Sequence, residues 1–352
     1  MKILIVGAGV LGSVAAVKLQ NSGHQVSLLA RGQRLADIRQ NGVVIEEFST
    51  GQRETAPVQV LETLDPQEAY DAALVLVRKN QLQRVLELLK PCTKIPYFAF
   101  LHNNAAGPQQ LVDALGAERV LLGFPGGGGE RDGWLVRYII SGRRGQPTTL
   151  GELDGRISER LIQLGSALEG AGFPVEFSQN MDAWLKTHVM LVSPIANALY
   201  LAGGDNYRLA RTRDGVVFMV RAIHEGLQVL KKLGVPITPR RYRALTWLPE
   251  PLLVSTLRRL LATQRAELAL SRHANAARDE MQELAGEVRA LAQAAGMRMP
   301  NYEQLCQYME PAEEPLPDGL SDLALNWRGI VTILTALTGS ILMIRSFQRR
   351  KK

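Results

Sequence analysis

The first residues able to do chemistry are Gly7-Ala8-Gly9-Val10-Leu11-Gly12, a Gly-x-Gly-x-x-Gly turn set between an apolar run and a helical pattern. Gly7 permits the tight turn, Gly9 lets the backbone approach a pyrophosphate, and Gly12 lets the helix pack on the strand before it. The helix N-terminus adds free N–H groups and a partial positive charge. Gly7, Ala8, Gly9, Val10, Leu11 and Gly12 are therefore expected to hold a dinucleotide. A second apolar run ends about twenty residues on, in Leu29-Ala30-Arg31-Gly32-Gln33-Arg34. An NAD site places Asp or Glu there for the ribose hydroxyls. This one has no acid and offers Arg31, with Arg34 close behind, and a guanidinium pairs a 2′-phosphate through several N–H groups. NADP (NADPH) is the expected cofactor.

Hydride delivery to a carbonyl creates an alkoxide that must be protonated, and a partly buried lysine suits that task. Lys186, in Trp184-Leu185-Lys186-Thr187-His188, lies on an otherwise apolar helical stretch at the start of the second half. A lysine that merely snorkels from such a helix is the ordinary alternative. No metal signature is present. Cys92 and Cys306 lie far apart with no CxxC, and the five histidines form no HxxxH or HExxH. Two such cysteines fit free thiols in a reducing compartment.

These groups need a frame, and apolar patterning predicts one. Ile3–Val6, Gln25–Leu29, Ala73–Val77 and Phe98–Leu101 read as buried strands, with helical spacing over Leu11–Asn21, Gln81–Leu89 and Gln109–Leu115. That alternation predicts an N-terminal Rossmann domain, a doubly wound parallel sheet of the α/β class. From Trp134 to Gly151 alternation implies added antiparallel strands, and Phe173–Phe177 closes the region after a helix over Ser158–Ala171. Beyond Met181 the patterns are all helical, over Trp184–Leu201, Asp214–Leu233, Leu252–Ala277 and Arg278–Ala295. The expected domains are 1–178 (dinucleotide-binding), 179–310 (all-α, substrate-binding and dimerising) and 311–352 (linker and tail), with Glu310–Gly319 acidic and Pro-rich.

Over residues 1–310 the chain resembles the ketopantoate reductase (2-dehydropantoate 2-reductase) family. The landmarks are Gly7–Gly12 followed by Arg31, a Val-x-x-Lys setting ending at Lys79, and His102-Asn103 for a His-Asn-Gly turn. Trp184-Leu185-Lys186 opens the helical domain, and Glu280 stands about twenty residues before the turn Gly296-Met297-Arg298-Met299-Pro300. The resemblance implies NADPH-dependent reduction of a small 2-keto acid, ketopantoate or a close analogue, to the 2-hydroxy acid, as in pantothenate biosynthesis. It implies that Lys186 protonates the carbonyl oxygen and Glu280 fixes that lysine and the substrate hydroxyl. Lys79 and Asn103 would stand beside the nicotinamide, its ribose and the substrate. The chain departs from the pattern where Met190 replaces Asn, Ser193 replaces the Asn of Asn-Pro, Leu268 replaces Ser, and Phe124-Pro125-Gly126-Gly127-Gly128-Gly129 replaces a Thr-rich segment. His188, Asn275, His273 and Ser271 are the residues available for different substrate contacts. Two alternatives follow: reduction of another keto acid or an imine, and an NADP-binding sensor whose catalytic set has decayed.

Net charge is +7, but Arg345, Arg349, Arg350, Lys351 and Lys352 supply five of it, leaving a nearly neutral body of +2. With no nucleic-acid-binding motif, that distribution argues against a nucleic-acid partner. The glycines at 7, 9 and 12 interrupt the first apolar run and exclude a signal peptide, so a cytoplasmic protein is expected. Gly329–Ile344 carries no charge and is bounded by Arg328 and Arg345. As a helix it would extend about 24 Å, short of a ~30 Å hydrocarbon core. A tail anchor, a helix lying on anionic lipid and a dimerisation helix are the three readings of residues 329–352.

Overall fold

The computed structural model describes residues 1–327 except Arg144 and Pro311. Lys2–Val6 (β1), Gln25–Leu29 (β2), Val43–Glu47 (β3), Arg53–Ala56 (β4), Gln59–Leu61 (β5) and Ala72–Val75 (β6) come first. Phe98–Leu101 (β7), Val120–Phe124 (β8), Gly127–Asp132 (β9), Leu135–Ile140 (β10), Thr148–Glu152 (β11) and Val175–Phe177 (β12) follow. Eight strands form the main sheet, in the order β12-β11-β8-β7-β6-β1-β2-β5, and only the β11–β8 pair is antiparallel. β6 and β7 are buried along their whole length, as central parallel strands covered on both faces must be. β1 and β6 run parallel, but the strands are added outward in opposite directions from them, and the crevice at their carboxyl ends is where such sheets bind ligands.

Helices Val10–Asn21 (α1), Gly32–Asn41 (α2), Leu82–Leu89 (α3), Gln109–Leu115 (α4) and Glu159–Gly170 (α5) surround this sheet. β4, β3, β10 and β9 form a small second sheet, in which β10 runs parallel to β3 and antiparallel to β9. The antiparallel character expected over 134–151 is therefore divided between two sheets. The strands β3, β4, β5, β8 and β9 were not visible in the patterning.

Among the described residues every element from Met181 onward is helical. Met181–Leu201 (α6) is buried on nearly all sides and packs on Arg213–Lys232 (α8), with Asn206–Arg211 (α7) between them in sequence. One expectation is corrected here. The helix read over Leu252–Ala277 is broken into Glu250–Leu261 (α9), Gln264–Ala266 (α10), a π-turn over Glu267–Ser271 and Arg272–Ala276 (α11). Thr263 stops the first piece by capping the next, its Oγ1 accepting from the Ala266 N–H at 3.2 Å. Arg278–Ala294 (α12) and Pro300–Cys306 (α13) complete the domain.

The Pro-rich segment read as a linker lies along the helices. The Leu316 N–H donates to Leu201 at 3.0 Å, the Asp214 carboxylate accepts from the Asp322 and Leu323 N–H groups, and Arg211 pairs with Asp318 at 2.8 Å. Residues 329–352, on which the three tail readings fall, lie outside the described residues. Among the described residues no helix is long and apolar enough to cross a membrane.

Candidate active site

β1 ends at Val6 and the glycine turn follows it into the crevice. Gly7 has φ +111°, and a Cβ there would stand 2.4 Å from the Leu76 carbonyl oxygen at the end of β6. A Cβ on Gly12 would stand 1.8 Å from the Gly7 carbonyl oxygen. Both glycines are thus demanded by the protein's own packing. Gly9 differs, because a Cβ there would meet nothing within 4 Å. The open space lies at the N-terminus of α1, which has no capping side chain and no acid in its first turn. Ala8, Val10 and Leu11 complete this cradle, which fits a pyrophosphate in both shape and polarity.

The two arginines after β2 part company. Arg31 is exposed, caps α2 with its backbone and makes no side-chain hydrogen bond to a described residue. Arg34 is buried. Its Nε donates to the Ala8 carbonyl at 3.1 Å, and its other nitrogens reach Ser13 Oγ at 2.9 Å and the Trp134 carbonyl at 3.0 Å. The expectation of Arg34 as a second phosphate ligand is therefore corrected: its guanidinium holds the glycine turn.

At the carboxyl ends of β6 and β7 the structure brings Lys79, Asn103 and Glu280 together. Asn103 Nδ2 donates to Glu280 Oε1 at 3.1 Å, joining the loop after β7 to α12 of the helical domain. Asn103 Oδ1 is buried without a partner, and such an acceptor stays costly until a donor meets it. The Lys79 ammonium is buried between Asn104 Oδ1 at 2.8 Å and Glu287 Oε1 at 3.0 Å. Glu287 Oε2 also accepts from the Ala105 and Ala106 N–H groups, at 2.6 and 3.2 Å. Sequence reasoning missed Glu287, although it follows Glu280 by seven residues and so shares its helix face.

Lys186 and Glu280 are not in contact. The loop 102–107 lies between them: Asn103 holds Glu280 at one end, and Gly107 stands close to Lys186 and Asp182 at the other. The Lys186 ammonium pairs with Asp182, one turn earlier on α6, and its side chain is 13% exposed. Asp182, a second residue that the sequence reading missed, leaves its other oxygen buried and unpartnered.

His188, one turn along α6 from Trp184, stacks on that indole at 5.2 Å between ring centres and meets Phe124 at 4.1 Å. Burial in this aromatic wall, with His273 nearby, pushes its imidazole down to about 3. His102 is likewise driven to about 4 by burial, against the opposing bond to the Asn103 carbonyl. Asn275 is exposed, with its amide N–H group engaged. Its Nδ2 donates to the Gly204 carbonyl at 3.0 Å, which Ser271 also holds, so both residues secure the turn after α6. Leu268 and Met190 are core side chains, the latter packed on Gly226. No cluster of potential metal ligands occurs among the described residues.

Residues 3–155 match the family model described as ketopantoate reductase PanE/ApbA. A 2-dehydropantoate 2-reductase of Archaeoglobus fulgidus is 26% identical over 66% of this chain and 75% of its own length. The solved structure of a 2-dehydropantoate 2-reductase from Geobacter metallireducens is similar with TM-score 0.73 and 19% identity, covering 89% of this chain and 100% of that one. D-mandelate dehydrogenase with NADH and anilino(oxo)acetate gives TM-score 0.71 at 16% identity, over 88% of this chain and 97% of that one. At these identities the structural likenesses speak for a shared fold.

Proposed function

We propose, from the match of residues 3–155 to the ketopantoate reductase PanE/ApbA family model, that this chain is an NADPH-dependent reductase of a small 2-keto acid, acting on 2-dehydropantoate or a close analogue. The observation that carries the reading is the Asn103–Glu280 contact across the two domains, at the strand ends from which the glycine turn also rises. When bound, the nicotinamide supplies the hydride. The open face of Gly9 and the α1 N-terminus receive the pyrophosphate, and Arg31 pairs the 2′-phosphate. Asn103 and Lys79 fix the reacting end of the cleft, and Glu280 accepts a hydrogen bond from the substrate hydroxyl. Lys186 delivers the proton to the carbonyl oxygen after its ammonium leaves Asp182. The protein would work in the cytoplasm, as a monomer or homodimer, in pantothenate synthesis if ketopantoate is the substrate.

A second reading concerns the substrate alone. Phe124, Trp184 and His188 form an aromatic cluster at the start of α6, where Trp184 and His188 stand two residues either side of Lys186. That cluster favours a 2-keto acid with an apolar or aromatic side chain. NADPH oxidation by the purified protein, with 2-dehydropantoate and phenylglyoxylate compared by kcat/KM, tests both readings. Tight NADPH binding with no turnover of any keto acid or imine would leave the sensor alternative in place of a reductase.

A further inference from the structure

The hairpin of β9 and β10 ends beside the glycine turn. Gly133 and Trp134 join its strands, and Gly133, at φ +58°, takes the first place of this two-residue loop. Val136 and Tyr138 share one buried cluster with Val14, Ala15 and Val17, so their face of β10 lies on α1. Tyr138 stands toward the far half of that helix, where the Lys18 ammonium is 5.6 Å from its ring centre. At the other end the Trp134 carbonyl accepts from Arg34 Nη1 at 3.0 Å, and the same guanidinium holds Ala8 and Ser13. The hairpin tip is therefore fastened at the N-terminal end of α1.

Arg131 is the cation at this tip. It stands opposite Val136 in the β9–β10 register, and opposed residues share a face, so its side chain leaves on the α1 side. It is exposed, and its side chain makes no hydrogen bond or ion pair with a described residue. The acids on either side of it are taken, Glu130 by Arg272 and Asp132 by Arg137 at 3.2 Å. Burial first, and then the nearby charge of Arg131, pull the Arg34 guanidinium below its ordinary value, against the opposing charge of Asp37. Arg34 lies in the first turn of α2, and Arg31, also exposed, begins that helix, which has no capping side chain and no acid in its first turn. Arg31 and Arg131 thus flank one open helix end, the first from the chain leading into it and the second from the hairpin.

We propose that Arg131 is a second ligand of the adenosine 2′-phosphate and, with Arg31, sets the preference for NADPH over NADH. This rests on the dinucleotide reading of the glycine turn. A phosphate dianion has acceptors enough for two guanidinium groups, whereas the ribose hydroxyl of NADH offers neither the charge nor the forked geometry. Cations gathered without a counter-ion repel one another, and an arriving phosphate relieves that repulsion as well as pairing with each. Arg34 then serves the site without touching the ligand. Its three hydrogen bonds are the strut that keeps the hairpin, and Arg131 with it, against the start of α2.

The test titrates NADPH and NADH into the full chain as wild type, R131Q and R31S/R131Q. R131Q should bind NADPH about tenfold more weakly with its NADH affinity unchanged, and R31S/R131Q should bind the two cofactors alike. Adenosine 2′,5′-bisphosphate compared with ADP isolates the phosphate, and R131Q should lose affinity for the bisphosphate alone. An unchanged melting temperature would show R131Q folded. Wild-type NADPH affinity in R131Q, or an equal loss for NADPH and NADH, would overturn the proposal and leave the dinucleotide site standing. Binding of neither cofactor by the wild type would overturn both.

Discussion

Arg34 reaches back from α2 to the Ala8 carbonyl, so the dinucleotide turn is held from beneath by a buried cation. Three acceptors share that guanidinium. Arg34→Ala would remove a donor from each and leave the Ala8 carbonyl only its bond from Ser13 Oγ, and a loss on the order of 3 kcal/mol of stability is expected. NADPH and NADH binding should weaken together. Chemical denaturation and titration of both cofactors check this.

Arg31 should behave in the opposite way. It is exposed and supports no described neighbour, so Arg31→Ser should alter stability by no more than about 0.5 kcal/mol. The NADPH dissociation constant should rise about tenfold or more, with that for NADH nearly unchanged. An equal loss for both cofactors would remove Arg31 from the 2′-phosphate.

Two glycines in one motif should fail differently. Gly12→Ala forces a Cβ to within 1.8 Å of backbone and should lower the melting temperature by several degrees. Gly9→Val places its side chain where nothing lies within 4 Å, at a φ of −71° that any residue adopts. It should melt near the wild-type temperature while NADPH binding is lost, as isothermal titration would show.

Lys186→Ala should lower kcat by about 10²–10⁴ with NADPH affinity retained. Glu280→Gln should keep the bond from Asn103 yet raise KM for the keto acid, because the charge that receives the substrate hydroxyl is gone. Steady-state kinetics with a binding titration separates the two effects. Full turnover by Lys186→Ala would move the proton to another group.

The buried imidazoles predict acid lability. His102 titrates near 4 and His188 near 3 in the folded chain, against about 6.5 when unfolded. Below about 6.5 the unfolded chain binds protons that the folded one refuses, so stability is complete above that value and falls as the pH drops toward those folded values. His102 alone corresponds to a loss of about 3 kcal/mol across its window. His188→Phe should flatten the curve, as urea melts at pH 7.5 and 5 would reveal.

The glycine turn and the strands around it were legible because buried parallel strands are short unbroken apolar runs and the motif has a fixed place between strand and helix. The break after α9 was not. Leu253, Leu257, Leu261 and Leu268 carry apolar spacing across Ala262 and Thr263, where no Gly or Pro marks a stop. A π-turn inserts its extra residue without any composition signal. Arg31 and Arg34 were alike in sequence, since residue type records charge and says nothing about which neighbour has an unpaired carbonyl. Asn275 matched a substrate contact by type, and the Gly204 carbonyl claims it. Glu287 was within reach of the reading, because a second carboxylate seven residues on shares the first one's face.

Glu280 sits between two fastenings on α12. Asp279 beside it binds Arg78 and Asn80, while Glu287, about 10 Å along the axis, holds two backbone amides and the Lys79 ammonium. A substrate that draws Glu280 from Asn103 therefore leaves both neighbours tied. The carboxylate can change partner while the seam on either side of it stays stitched.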